Sequence, residues 1–327
     1  MTEHRTVVIG GVDTHGRTHH AAAIDDLGRV LGSREFEVTA AGYNKLLGWL
    51  GRFGTLDRVG VEGTGTYGAG LCRFLVDRGV TVIEVERPDR RTRRQHGKSD
   101  PIDAEAAARA VLAGTATAPP KTRDGVIEAI RVLRTVRASA VRSRTAAINA
   151  LHALVITAPD ELRSTLDPLS RAALVKTCAR LRPDLGQVGD ACQATKLAVR
   201  EIARRIEHLD IEIRGLDTVI VPLVRAAAPN TIALLGIGPD HAAQFLATAG
   251  GNPARLRCEA AFAHLCGASP IPASSGRTQR HRLHRGGDRD ANRALHLAVV
   301  VQLRYCERTR AYVQRRMSFP RSCGHRA

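Results

Sequence analysis

The chain has 327 residues, of which 43% are hydrophobic and only 3% aromatic, with a formal net charge of +17. That length exceeds one typical domain and that apolar content supports real cores, whereas the shortage of aromatics argues against broad stacking platforms for single strands. The basic excess is mostly arginine, which forks onto phosphate, so it calls for a polyanionic partner, nucleic acid ahead of an acidic membrane surface.

The first segment, "TVVIGGVDTHGRTHHAAAIDDLGRVLGSREFEV", predicts three strands with turns at His15–Arg17 and Asp26–Gly28, an antiparallel meander. A helix over "AAGYNKLLGWLGRF", a strand over "RVGVEGT", a helix over "YGAGLCRFLVDRG" and a strand over "VTVIEV" follow. The basic run "RPDRRTRRQHG" then leads into "KSDPIDAEAAARA", where Asp100 is expected to cap a helix with Pro101 at its first position. Three strands followed by alternating helix and strand predict a mixed sheet flanked by helices, the order of the ribonuclease-H-like fold.

From about Pro119 to Val224 the pattern is helical. Ile202, Ile206, Leu209, Ile213, Leu216 and Ile220 form a heptad seam, which could close a hairpin or, the preferred expectation, pair two subunits. Arg131, Arg134, Arg137, Arg142 and Arg144 on the preceding helix are expected to face nucleic acid, because that helix carries almost no balancing acid. "LLGIGPDHAAQFLATAG" resembles a helix-hairpin-helix, in which Gly236 and Gly238 would let backbone N–H groups grip phosphate oxygens. "GASPIPASSGRTQRHRLHRGGDRDANRALHLAVV" reads as a polar loop with Ser274 and Ser275, spaced arginines, a Gly-Gly turn and a helix.

The seven cysteines form no CxxC pair, and no stretch reads as a membrane span or signal peptide. They read as reduced thiols of a cytoplasmic protein. Neither His19/His20 nor His281/His284 has cysteines at zinc-finger spacing, so zinc is not expected.

Asp13 closes the first strand in "GGVDTHG" and Glu62 the fourth in "GVEGTGTY". Taken alone, Asp13 could be a turn residue, Glu62 a strand end, and Asp100 and Asp103 a favourable helix start. In this order on this strand pattern, the four carboxylates could converge on one spot, and would repel one another unless cations lie between them. Oxygen-only ligands suit Mg²⁺ or Mn²⁺, and a pair of such ions can clamp both sides of a phosphoryl transfer. Arg90, Arg91, Arg93, Arg94 and Lys98 beside them would hold the nucleic-acid backbone.

"GVDTHG", "VEGTGTY", "KSDPIDAEAAARA", "LLGIGP" and "ASSG" together resemble the DEDD transposases of bacterial insertion sequences, relatives of the Piv invertase and RNA-guided recombinases. The resemblance runs from about residue 6 to residue 315. It implies a RuvC-like α/β domain over 1–118 with Asp13, Glu62, Asp100 and Asp103 as catalytic acids. It further implies a helical, coiled-coil region over 119–226 used in dimer contacts, and a mainly α transposase domain over 227–315. In that last domain the nucleophile would be Ser275, with Ser274 the alternate, and Arg277, Arg280, Arg282 and Arg285 would meet the DNA. The implied partners are element-end and target DNA, a noncoding guide RNA and further copies of the chain as a homodimer or tetramer, with no membrane, in a bacterial, nucleoid-associated setting. "MSFPRSCGHRA" departs from the further basic helix of the family, so 316–327 reads as an irregular, truncated tail that puts activity in doubt. The competing readings are a Holliday-junction-resolvase-like nuclease, which needs no serine, and a DNA-binding remnant without catalysis.

Overall fold

A computed structural model describes residues 6–85, 99–252 and 255–318. Arg90, Arg91, Arg93, Arg94 and Lys98, expected to hold the nucleic-acid backbone, lie outside these residues. The chain divides into two compact units, residues 1–125 with 249–263, and residues 126–248 with 264–327.

In the first unit, β1 (Val7–Thr14), β2 (Thr18–Asp25) and β3 (Val30–Glu37) form the expected antiparallel meander. After α1 (Ala40–Leu50), β4 (Thr55–Glu62) lies parallel to β1, and after α2 (Ala69–Val76), β5 (Thr81–Val85) lies parallel to β4. The resulting sheet has the order β3-β2-β1-β4-β5, and with helices on both faces it is compatible with a ribonuclease-H-like arrangement. Strand alternation separates the two faces. Val8, Val12, Val59 and Val61 pack with Tyr43, Leu46, Leu50, Leu71 and Leu75 of α1 and α2. Ile9, Ile24, Ile83 and Val85 pack on the other face with Ala107, Ala108 and Val111 of α3 (Asp100–Leu112).

The second unit is helical. A long α4 (Gly125–Ile156) leads through α5 (Asp160–Leu166) and α6 (Arg171–Ala179) to the still longer α7 (Ala191–Ala227). Helices α4 and α7 are antiparallel neighbours, since Leu151 packs with Ala203 while Ile130 packs with Ile220 and Val224. The seam positions Ile206, Ile213 and Ile220 are buried within the chain. At these three positions the seam closes within the chain, the hairpin alternative, rather than between subunits as preferred, while Ile202, Leu209 and Leu216 stay partly exposed.

The same pairing corrects the reading of the α4 arginines. Arg137 binds Asp217, Arg144 binds Asp210 and Arg131 binds Glu128, while Arg134 and Arg137 also approach Asp240. The acids come mainly from other helices, so α4 on its own looks unbalanced. Arg142 alone of the five has no ion-pair partner among the described residues.

A short α8 (Pro229–Ile232) and α9 (Pro239–Ala249) follow α7, then α10 (Glu259–Leu265), a two-stranded hairpin of β6 (Ile271–Pro272) and β7 (His281–Arg282), α11 (Arg289–Tyr305) and α12 (Glu307–Ser318). Since α12 runs to Ser318, the first three residues of the segment expected to be irregular are helical. Among the described residues no helix is long and apolar enough to cross a membrane.

Candidate active site

Two glycines set the height of α3 on the sheet. Gly11 and Gly60 face each other across β1 and β4. A Cβ on Gly11 would lie 2.1 Å from the Ala104 carbonyl oxygen and 2.4 Å from the Ala108 nitrogen. One on Gly60 would lie 2.7 Å from Val111 and 2.9 Å from the Ala107 carbonyl. Bare strand backbone against an alanine face lets the helix lie directly on the sheet.

Two residues further along each strand, on the same face, stand Asp13 and Glu62. The register pairs Val12 with Val61 immediately before them. Asp103 precedes Ala104, the residue in contact with Gly11, so α3 brings its buried acid to this same end of the sheet. Asp13, Glu62 and Asp103 retain only 6%, 4% and 6% of their exposure. The Thr14 hydroxyl donates to the Glu62 carbonyl at 2.7 Å, tying the two strand ends together. Beyond them Gly63 turns the chain with φ of +71°.

Asp100 differs from the other three. Ser99 is the extended N-cap residue, and Asp100 already belongs to the helix, with Pro101 behind it. This corrects the expected cap by one position, and it leaves the Asp100 side chain half exposed. Its partner is His15, which the sequence reading left out. His15 Nε2 lies 3.0 Å from Asp13 Oδ2 and 3.3 Å from Asp100 Oδ1. Among the described residues, Asp13, His15 and Asp100 are the group whose ligand atoms all fall within 4.8 Å of one another; that group does not include Glu62 or Asp103. The signal for His15 was in the sequence, two residues after Asp13 in "GVDTHG".

A fifth nearby carboxylate has a different use. Glu84 on β5 accepts a bond from Thr64 at 2.5 Å and pairs with Arg255, which also donates to the Pro119 carbonyl at 3.0 Å.

The second candidate centre lies in the other unit. Ser275 and Thr278 exchange backbone hydrogen bonds, both 3.1 Å, across the two-residue turn Gly276–Arg277. Gly276 takes a φ of +56°, which suits a tight hairpin turn. The two serines are used differently. The Ser274 hydroxyl donates to the Arg280 carbonyl at 3.3 Å and accepts from the Arg280 N–H at 3.2 Å, closing the hairpin. Ser275 is exposed, with no side-chain partner among the described residues. Arg277, Arg280, Arg282 and Arg285 are also exposed, and none has an acidic partner among the described residues.

The base of this hairpin is pinned. Gly267 and Gly287 lie so close that a Cβ on Gly287 would fall 2.6 Å from the Gly267 nitrogen. Asp288 caps α11 by accepting from the N–H groups of Asp290 and Ala291 at 3.0 Å, and its other oxygen accepts from Gln244 and Thr248 of α9.

Gly236 and Gly238 play separate parts. Gly236 has a φ of +87° and its missing Cβ would strike the Ala298 carbonyl at 2.8 Å, so close packing on α11 already requires glycine there. Gly238 has open space around it, and its carbonyl accepts the Ala242 N–H at the start of α9.

A transposase family model, of the DEDD and IS110 type, matches residues 10–158, and a second, described as "Transposase IS116/IS110/IS902 family", matches residues 232–314. The chain belongs to this transposase family. The 42 kDa protein of insertion element IS900 from Mycobacterium paratuberculosis is 27% identical over 68% of this chain and 66% of its own length. A mini-circle protein named as the transposase for IS117, from Streptomyces coelicolor, is 27% identical over 85% of this chain and 80% of its own. The chain thus spans just under two thirds of the IS900 protein. Asp13 and Glu62 on the strands, Asp100 and Asp103 on α3 and the "ASSG" hairpin fall inside the residues matched by the two models.

Proposed function

We propose that this transposase cuts and rejoins DNA through a RuvC-like metal site of Asp13, Glu62, Asp100 and Asp103, with Ser275 as the nucleophile. The observation that carries the reading is the shared face of Asp13 and Glu62, two residues beyond the glycine pair on which the acidic helix α3 rests. The donor set suits a hard divalent cation, Mg²⁺ or Mn²⁺, because carboxylate oxygens dominate it and three of the four acids are buried. When bound, such a cation supplies Lewis-acid polarisation of a phosphate oxygen.

The protein's own groups do the rest. Ser275 Oγ attacks the phosphorus, an Oγ–P bond forms and the bond from phosphorus to the 3′ oxygen breaks. The serine proton is lost and the departing 3′ oxygen gains one, leaving a 5′-phosphoserine and a free 3′-hydroxyl. Reversal by a different 3′-hydroxyl rejoins strands without an outside energy source. Arg277, Arg280, Arg282 and Arg285 offset charge that develops on the phosphate, as preorganised cations do. Gly238 leaves the start of α9 open to a backbone phosphate.

A noncoding guide RNA and assembly of several copies on the DNA ends belong to the same reading, through a surface other than the buried positions of the α7 seam. The test is incubation with labelled element-end DNA, Mg²⁺ and flanking RNA, quenched in denaturant. A covalent adduct mapping to Ser275 supports the proposal. Hydrolysed nicks without an adduct point instead to a resolvase-like nuclease, and binding without cleavage to a non-catalytic remnant.

A further inference from the structure

His15 occupies a position that an all-carboxylate centre does not need to fill. It follows β1 directly, and its backbone N–H donates to the Thr18 carbonyl at 3.1 Å, so the turn into β2 anchors the residue. From there Nε2 reaches Oδ2 of Asp13 at 3.0 Å and Oδ1 of Asp100 at 3.3 Å. One nitrogen carries at most one proton, so it cannot give a full hydrogen bond to both oxygens. Three electron-pair donors from the end of β1, the β1–β2 turn and the start of α3 therefore converge, within 4.8 Å of one another. The ring keeps 41% of its exposure, which leaves it open to the solvent from which a cation would come.

We propose that His15 Nε2 is a direct ligand of the divalent cation held with Asp13 and Asp100, and that it biases the site toward Mn²⁺ over Mg²⁺. The inference rests on the metal reading of the preceding section. Carboxylate oxygens serve both ions, but Mg²⁺ gives up water reluctantly and favours oxygen. An imidazole nitrogen is a softer donor, and affinity for nitrogen-containing sites belongs to the first-row transition ions. His15 is then a specificity-determining residue for the cofactor, beyond the four acids.

The decisive measurement uses the full-length protein, stripped of metal and given less than one equivalent of Mn²⁺. Pulsed electron paramagnetic resonance should show the nitrogen modulation of a directly bound imidazole, and His15→Gln should remove it. In His15→Gln, Mn²⁺ affinity should fall on the order of tenfold, while Mg²⁺ affinity, read by competition, stays close to that of the wild type. Absence of directly coupled nitrogen in the wild type, or its survival in His15→Gln, overturns the assignment. Equal weakening of both ions also overturns it, since His15 would then merely hold the two carboxylates in place. Asp13→Asn serves as the separate check on the underlying site. If that variant binds Mn²⁺ as tightly as the wild type, the metal reading itself is wrong and this inference falls with it.

Discussion

Gly11 and Gly60 oppose each other on neighbouring parallel strands, and neither has room for a methyl group beneath α3. Gly11→Ala forces a Cβ into helix backbone, which cannot move aside as a side-chain tip can. It should cost roughly 3 kcal/mol or more, at or above the upper end of ordinary overpacking. Gly60→Ala, whose nearest obstacle is a Val111 methyl, should cost less. Denaturant melts of both variants check the order, and equal midpoints would show that α3 does not rest on the sheet as described.

Asp13→Asn and Asp103→Asn should each abolish strand cleavage while retaining the fold. Each change keeps side-chain shape and removes a hard anionic ligand. Circular dichroism would report the fold and gel-resolved cleavage the activity. Ordinary cleavage by both variants at normal Mg²⁺ would remove the carboxylate centre from the mechanism.

The adjacent serines should separate cleanly. Ser275→Ala should bind DNA with unchanged stability yet form no covalent adduct, because its hydroxyl supports nothing in the hairpin. Ser274→Ala loses both bonds to Arg280 and should loosen the hairpin by about 1 kcal/mol while keeping substantial strand exchange. Peptide mapping of the trapped adduct decides between them, and an adduct on Ser274 would reverse the assignment.

Stability of the first unit should fall as the solution is acidified below about pH 6.5. His19 is fully buried in β2, stacked on Tyr43, and its Nε2 has no hydrogen-bond partner among the described residues. Burial holds its pKa below the ordinary 6.5, against a weaker upward pull from the Thr18 carbonyl. The unfolded chain therefore takes up the proton first, so stability is full above the unfolded pKa and declines as pH falls toward the folded one. His19→Gln should lower the baseline but flatten that slope. Thermal melts at about pH 7.5 and about pH 5.5, roughly one unit either side of the unperturbed value, measure the difference.

Much of the first unit was legible because its signals are local. The strands of the meander, its two turns and the acids at strand ends all follow from alternation and turn residues. What escaped depended on partners distant in sequence. Arg137 and Arg144 looked unbalanced because Asp217 and Asp210 arrive from an antiparallel helix more than sixty residues away. The heptad seam was visible, but periodicity marks only which face is apolar and says nothing of whether the covering helix belongs to the same chain. Asp100 was displaced from the cap because Ser99, extended at φ −149° and ψ 147°, takes that place one residue earlier. His15 was passed over because carboxylates suffice for an oxygen-ligand argument, and only geometry shows its ring reaching two of them.

The pairing of the α4 arginines has a consequence for how the protein would meet DNA. Since those guanidinium groups are engaged inside their own helical bundle, the charge free to act at a distance is concentrated elsewhere. Residues 267–318 hold eleven arginines against three acidic residues. Four of those arginines, Arg277, Arg280, Arg282 and Arg285, lie within ten residues of the serine hydroxyl proposed to react. A charge so distributed orients a polyanion during approach as well as holding it afterwards. Neutralising Arg277, Arg280 and Arg282 together should slow association at low salt far more than it speeds dissociation, and the gap should close as ionic strength rises and screening shortens the reach of the field. The hairpin would then be the leading edge of the encounter, with the chemistry already at its tip.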